Sequence, residues 1–192
     1  ILPGVALVIT DGPAHAGAFP GNNGRIAFTV ATTLSNNTTQ LDIATINSDG
    51  TGFANLTPTE DLGGEFADWS ADATQIAFEA SSPDSSVQGA IFTMDADGSN
   101  PVQHTDPSAV GLGSSQTSGP SWSPDGTKLV FRMFDDSAGG GGFGLGVLDL
   151  ATDDVTLITH EPVNMLDTAP EWSPDGHKIA YLFVNAGNGA GN

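Results

Sequence analysis

The chain has no cysteine, a single tyrosine (Tyr181) and only four basic residues among 192. Without cysteine there are no disulfides and no thiolate nucleophile or metal ligand, so a disulfide scaffold and a Cys-type zinc site are both excluded. Export beyond the cytoplasm is neither supported nor excluded by that absence. Two lysines (Lys128, Lys178) and two arginines (Arg25, Arg132) stand against 23 acidic residues, a formal net charge of −19 at pH 7. A field of that sign repels nucleic acid and anionic lipid, so neither is expected as a partner. Long apolar runs are lacking too. The opening ILPGVALVIT covers ten residues, too few to span a bilayer, and no membrane insertion of the mature chain is expected. No amphipathic helix of useful length is legible anywhere.

Turn-forming residues and apolar residues are plentiful. There are 25 glycines and 12 prolines, and hydrophobic residues make up 38%, too many for a disordered tail. Asp supplies 18 of the 23 acids. That bias keeps a protein soluble in concentrated salt, and it also follows from the favoured place of Asp in turns.

One stretch recurs. Trp122 to Phe131 reads WSPDGTKLVF, Trp172 to Tyr181 reads WSPDGHKIAY, and Trp69 to Phe78 gives the weaker WSADATQIAF. A more eroded copy, FPGNNGRIAF, runs from Phe19 to Phe28, so units begin near 19, 69, 122 and 172. A period of about fifty residues with all-β character is the mark of a propeller blade. In Trp122-Ser123-Pro124-Asp125-Gly126 the proline presets φ for a tight turn, the Asp accepts backbone hydrogen bonds and the Gly tolerates positive φ. Pro174, Asp175 and Gly176 repeat that set after Trp172. In the second unit Asp72 is kept, but Ala71 and Ala73 replace the Pro and Gly. That turn is expected to be less tightly specified, with Gly126 but not Ala73 left-handed. Each Trp ends an incoming strand and offers a large plate to bury against a neighbouring unit.

Between these turns the chain reads as thirteen short strands. The first unit gives 25–30, 41–47 and 54–57; the second 68–69, 75–80, 90–95 and 102–105. The third gives 121–122, 128–134, 143–150 and 155–159, and the fourth 171–172 and 178–184. Alternation is imperfect, as expected where both faces of a sheet are covered. The expected fold is therefore all-β: a β-propeller of four-stranded blades, about three and a half of them present, over residues 17–184. Insertions at 81–88 and 135–142 are expected to project as loops. The tail, 185–192, reads as flexible. Ile1 to Ala16 reads as the back half of a secretory signal, with an apolar core and a small-x-small triplet cleaved after Ala16. An edge strand over Val5–Thr10 is the alternative.

WSPDGTKLVF and WSPDGHKIAY, with the strand-turn run IFTMDADGSN and the closing pairs Leu56-Thr57, His104-Thr105 and Ile158-Thr159, resemble the WD-like β-propeller repeat of TolB-type proteins. The resemblance covers about Phe19 to Val184. It implies a non-catalytic, periplasmic or secreted module that binds another protein. The same repeat caps prolyl-oligopeptidase-like serine hydrolases, so the alternative is the propeller portion of such an enzyme, its catalytic domain lying outside this sequence. Two features depart from TolB: the additional α/β domain is not seen, and a six-bladed ring needs more units than these. Terminal units would then leave apolar residues uncovered, among them Ile26, Phe28, Ile179 and Tyr181, and missing blades or a second copy would complete the ring.

Reactive constellations are sparse. No G-x-S-x-G elbow is present, Gly113-Ser114-Ser115-Gln116 lacking its second glycine. His15, His104, His160 and His177 have no metal-ligand spacing, and His104 and His160 fall at nearly equivalent points of successive units. Gly139–Gly142 opens no helix and reads as a connector rather than a phosphate cradle. Asp95-Ala96-Asp97-Gly98-Ser99-Asn100 reads as a hairpin turn, with a weak Ca2+ contact at Asp95 and Asp97 as the alternative. No catalytic residue, metal site or cofactor is assigned.

Overall fold

In the computed structural model, residues 24–59, 62–82, 89–106, 118–135, 142–159 and 165–185 are described. The expectations for Ile1–Ala16, Phe19–Asn23, the 83–88 and 136–141 insertions, Gly113–Gln116 and the 186–192 tail lie outside them. Every described element is a strand. The first sheet holds β1 (Ile26–Thr33), β2 (Thr39–Ile46) and β3 (Ala54–Asn55) in that order. The second holds β4 (Gly63–Trp69), β5 (Gln75–Ser81), β6 (Ala90–Asp95) and β7 (Val102–Gln103). The third holds β8 (Ser118–Trp122), β9 (Lys128–Asp135), β10 (Gly142–Asp149) and β11 (Asp154–Leu157). The fourth has β12 (Met165–Trp172) and β13 (Ile179–Asn185). Each sheet is an antiparallel meander of sequential strands. Asn185, expected in the tail, belongs to β13.

The sheets pack face to face in chain order. In β5, Ile76, Phe78 and Ala80 join Ile43 of the first sheet in one core, with Ala90, Phe92 and Met94 of β6. The intervening residues, Ala77 and Ile91, point the other way into a second core with Trp122, Leu129, Phe131, Met133 and Leu148 of the third sheet. Both faces of the second sheet are therefore buried, which is why its strands read as near-continuous apolar runs. Close approach of the first two sheets needs a missing side chain at Gly64, where a Cβ would meet Ile43 Cγ1 at 2.8 Å and Phe78 Cδ2 at 2.9 Å.

The first strands β4, β8 and β12 pack against one another, while the short β3 and β7 and the four-residue β11 end their sheets on the opposite side. Meanders arranged with their first strands together and their last strands outward are the blades of a propeller. Two blades have four strands, and the described parts of the end blades have three and two.

The three motif tryptophans differ in burial. Trp122 is 3% exposed within the core between the second and third sheets. Its backbone N–H donates to Asp68 Oδ2 at 2.9 Å and its Nε1–H to the Asp68 carbonyl at 3.2 Å, tying β8 to β4 of the preceding blade. Trp69 and Trp172 are half-buried, and their Nε1 groups have no partner among the described residues. Trp122→Ala should therefore cost about 3–5 kcal/mol. Trp172→Ala should cost clearly less. Urea unfolding followed by circular dichroism reads both, and equal losses would contradict the difference in burial.

Candidate functional site

Each motif turn folds around one serine and one aspartate. Ser70, Ser123 and Ser173 donate their hydroxyls to Oδ1 of Asp72, Asp125 and Asp175 at 2.7, 2.7 and 2.6 Å. The same serine oxygens accept the N–H of Gln75, Lys128 and Lys178, each at 2.9 Å. The aspartates also accept the N–H of Thr74, Thr127 and His177. In all three, the serine hydroxyl first, and then that backbone N–H, hold the carboxyl below its usual range. Pro124 and Pro174 occupy the turn position before Asp, and Gly126 and Gly176 close it, both at φ +70°.

Ala73 corrects the sequence-based expectation. It also lies left-handed, at φ +57°, and its N–H donates to the Ser70 carbonyl at 2.9 Å as Gly126 donates to Ser123. The Ser–Asp pair is retained in this unit, so it imposes the turn without either Pro or Gly, against the steric cost of a Cβ at positive φ. The serine, read in the sequence only as part of the motif, is common to all three turns, as is the aspartate.

A second repeated contact explains the closing pairs. Thr57, Thr105 and Thr159 each accept, on Oγ1, the N–H of Ile43, Ile91 and Leu145 at 2.9 Å. Each hydroxyl thus fills a backbone donor in the third strand of its blade or, in the first blade, the equivalent β2. His104, beside Thr105, sits between blades: Nε2 meets Thr93 Oγ1 at 2.8 Å and Nδ1 meets Asp153 Oδ1 at 2.7 Å. This position straps the second blade to the β10–β11 turn of the third. His160 lies outside the described residues. At the β6–β7 turn, Asp97 Oδ1 accepts from Ser99 N–H and Oγ, and Asp95 Oδ2 accepts from Asn100 Nδ2 at 2.7 Å. The geometry is that of a hairpin turn with Gly98 at φ +89°. Among the described residues no group of three or more His, Asp or Glu converges as a metal site.

The electrostatically unusual place is elsewhere. Glu65 on β4 lies directly across from Glu79 on β5. Burial, and then the neighbouring Glu65 carboxylate, push Glu79 up to about 7, while the Arg132 guanidinium pulls it back. Burial also raises Glu65. Arg132 lies 4.8 Å over the Phe143 ring, where a guanidinium is favoured. Beside the carboxylates a cavity of about 270 Å³ is lined by Gln40, Gly63, Gly64, Glu65, Glu79 and Ser81 among others. Glu79 Oε2, Arg132 Nε and Gln40 Oε1 are buried without a hydrogen-bond partner among the described residues. This cluster can hold a proton near neutral pH. The sequence signal for it was a charge inside a strand otherwise buried on both faces: Glu79 and Arg132 both stand ten residues after their motif tryptophan, where the fourth unit has Leu182.

No family model matches the chain, and no curated protein matches it. Solved structures do. The chain is similar to a putative TolB from Agrobacterium tumefaciens at 20% identity and a TM-score of 0.62, over 86% of this chain and 55% of that one. It is similar to TolB from Acinetobacter baumannii at 19% identity and a TM-score of 0.59, over 84% and 36%. It also matches a prolyl endopeptidase at 14% identity and a TM-score of 0.54, over 86% and 25%. The chain thus spans about half the length of the first and about a third of the second. What they share with it is the fold, a β-propeller.

Unfolding measurements test both the turns and the carboxylate pair. Ala73→Gly should stabilise by about 0.5–1 kcal/mol by removing the Cβ from a left-handed position, whereas Ser123→Ala should cost about 1–2 kcal/mol by stranding the Lys128 N–H. Equal signs in urea unfolding would refute the turn account. For Glu79, the folded chain keeps a proton that the unfolded chain releases between pH 4.5 and about 7. Stability should therefore fall as pH rises through that interval, by on the order of 2 kcal/mol. Glu79→Gln should flatten this decline, and an unchanged slope would show that Glu79 is not the group responsible. The lowered aspartates act oppositely, lending stability that is lost only as pH drops through their own, lower range.

Proposed function

We propose that the chain is a non-catalytic interaction module that works outside the cytoplasm, in the periplasm or beyond, by binding another protein. The observation that carries this reading is how the polar groups of the repeats are used. The motif serines, aspartates and closing threonines are engaged in turns and strand ends, and His104 is engaged between blades. Large apolar side chains, by contrast, stand exposed along the described blades, Phe66 and Val102 on the second among them, and at both ends. Ile26 is 52% exposed on the first blade, and Tyr181, Leu182 and Phe183 stand out on the last. Exposed apolar surface that folding does not use is the raw material of association. Likeness to TolB structures supports the location and the non-catalytic role, and missing blades or a second copy would complete the ring.

A second reading, the propeller portion of a serine hydrolase, is favoured by the match to a prolyl endopeptidase. Both are tested on the tagged full-length gene product by cell fractionation and by labelling with a fluorophosphonate that modifies activated serines. The interaction module should be recovered from the exported fraction, unlabelled. A labelled product would make it the propeller of a hydrolase, and retention in the cytoplasm would contradict the proposed location.

A further inference from the structure

One buried side chain in the cavity between the first two blades has its chemistry fixed by its neighbours. Gln40, on β2, is 8% exposed and lines that cavity. Its Nε2 donates to Asp42 Oδ1 at 2.7 Å and to the Thr59 carbonyl at 2.8 Å, so both amide hydrogens are used. Turning the amide over would set its oxygen against a carboxylate and a carbonyl, so the free atom, Oε1, can only accept. Among the described residues no donor reaches it. Glu79, which also lines the cavity, buries its Oε2 in the same condition. Glu65, directly across from Glu79, brings a second carboxyl to the lining. Gly63 lets β4 come close to β2, since a Cβ there would meet the Leu41 carbonyl at 2.6 Å and Gln40 Cγ at 3.0 Å. A buried acceptor without a donor costs free energy, and two in one cavity require a donor that the described chain does not supply.

We propose that this cavity binds a primary alkylammonium group, its N–H donors shared among Gln40, Glu65 and Glu79 and its carbon stem lying along Leu34 and Leu41. An ammonium carries three donors, and three acceptor groups line the cavity. No Lys or Arg lines it, and Arg132 lies over the Phe143 ring of the third blade. A volume of about 270 Å³ falls below the roughly 300–1,000 Å³ of pockets for drug-sized ligands, so a small amine or a single side chain suits it. A metal ion suits it less, because no three His, Asp or Glu converge among the described residues. The net charge of −19 concentrates cations at the surface. Binding is coupled to a proton. Burial, and then Glu65, push Glu79 up to about 7, so an ammonium displaces that proton and binds more tightly as pH rises through this value. Glu65 and Arg132 are the charges that act on Glu79. Other carboxylates on the adjoining strands are committed elsewhere: Asp42 to Gln40 and Asn55, Asp68 to the Trp122 N–H, and Asp95 to Asn100. A free amine and the lysine of a partner protein carry the same group, and the site does not depend on the chain being exported.

Nuclear magnetic resonance on the isotope-labelled chain tests this by titration with n-butylamine hydrochloride at fixed ionic strength. The side-chain amide of Gln40 and the backbone amides of Gly63 and Gly64 should shift and saturate. Affinity should rise by up to about tenfold between about pH 6 and about pH 8, a range in which the amine itself stays charged. Tetramethylammonium has the charge but no N–H, and n-butanol has the stem but no charge; neither should move these resonances. Glu79→Gln should weaken n-butylamine at least about tenfold and remove the pH trend, with the circular dichroism spectrum unchanged. Asp49→Asn, on an exposed turn of the first blade, should alter neither. Lysine blocked at both ends, by acetylation and amidation, separates the two sources. If it saturates the same resonances, the cavity accepts a partner's lysine; if n-butylamine alone does so, the cavity takes a free amine. Equal shifts with tetramethylammonium, or shifts at the exposed aspartate turns instead of the cavity, would mean general attraction to the net charge and would overturn the site. An unmoved Gln40 amide would overturn it too. Should Glu79→Gln fail to fold, the three small probes on the unmodified chain decide alone. Cytoplasmic retention would sink the exported module without touching this site, and loss of the site leaves that module to its own test.

Discussion

The fold depends on one constraint: a sheet that is apolar on both faces has to be covered on both. The second blade meets it fully. Alternate residues of its strands belong to two different cores, one shared with each neighbour, so neither core exists without the next sheet. Stability in such an array is divided between each repeat and its interfaces rather than concentrated in one centre. Among the described residues the first and last sheets have a neighbour on one side only, and Ile26, Tyr181, Leu182 and Phe183 are exposed on them.

Within that constraint the repeated polar contacts set geometry. The Ser–Asp turn fixes the hairpin between the first and second strands, and the closing threonine fixes the third strand against the segment after the fourth. Inter-blade ties are more individual. Trp122 with Asp68 and His104 with Asp153 link the second and third blades. Position 121 offers serine where the preceding unit has Asp68, and Trp172 is left with an unpartnered indole N–H among the described residues. The repeat thus preserves the turn more strictly than the joint.

Much of the fold was legible in the sequence. The thirteen strands group three, four, four and two, as the unit spacing implied. The first strands were read too short, beginning near 68, 121 and 171 where the structure starts them at Gly63, Ser118 and Met165. A bulge explains all three. Phe66, Gly119 and Ala169 have positive φ three residues before the tryptophan, and the register shifts there in each blade. A bulge breaks the period-two pattern, hiding the upstream half of the strand. Ala73 misled for the opposite reason: residue preference pointed away from a conformation that a serine and an aspartate enforce. Glu79 and Arg132 were visible as charges in buried strands, but their proximity depends on stacking of two blades, which no local pattern encodes.

Native-state hydrogen exchange tests most directly the claim that blades are held by their neighbours. Amides of Ile76, Phe78, Leu129 and Phe131, in sheets that share cores on the inner side of the arc, should exchange only with global unfolding. Those of β13 from Tyr181 to Phe183 should exchange faster by orders of magnitude at dilutions where the chain is monomeric, through opening of the last blade alone. Uniform protection across all four sheets would contradict the account, because it would mean that the end blade needs no neighbour to be as stable as the middle ones.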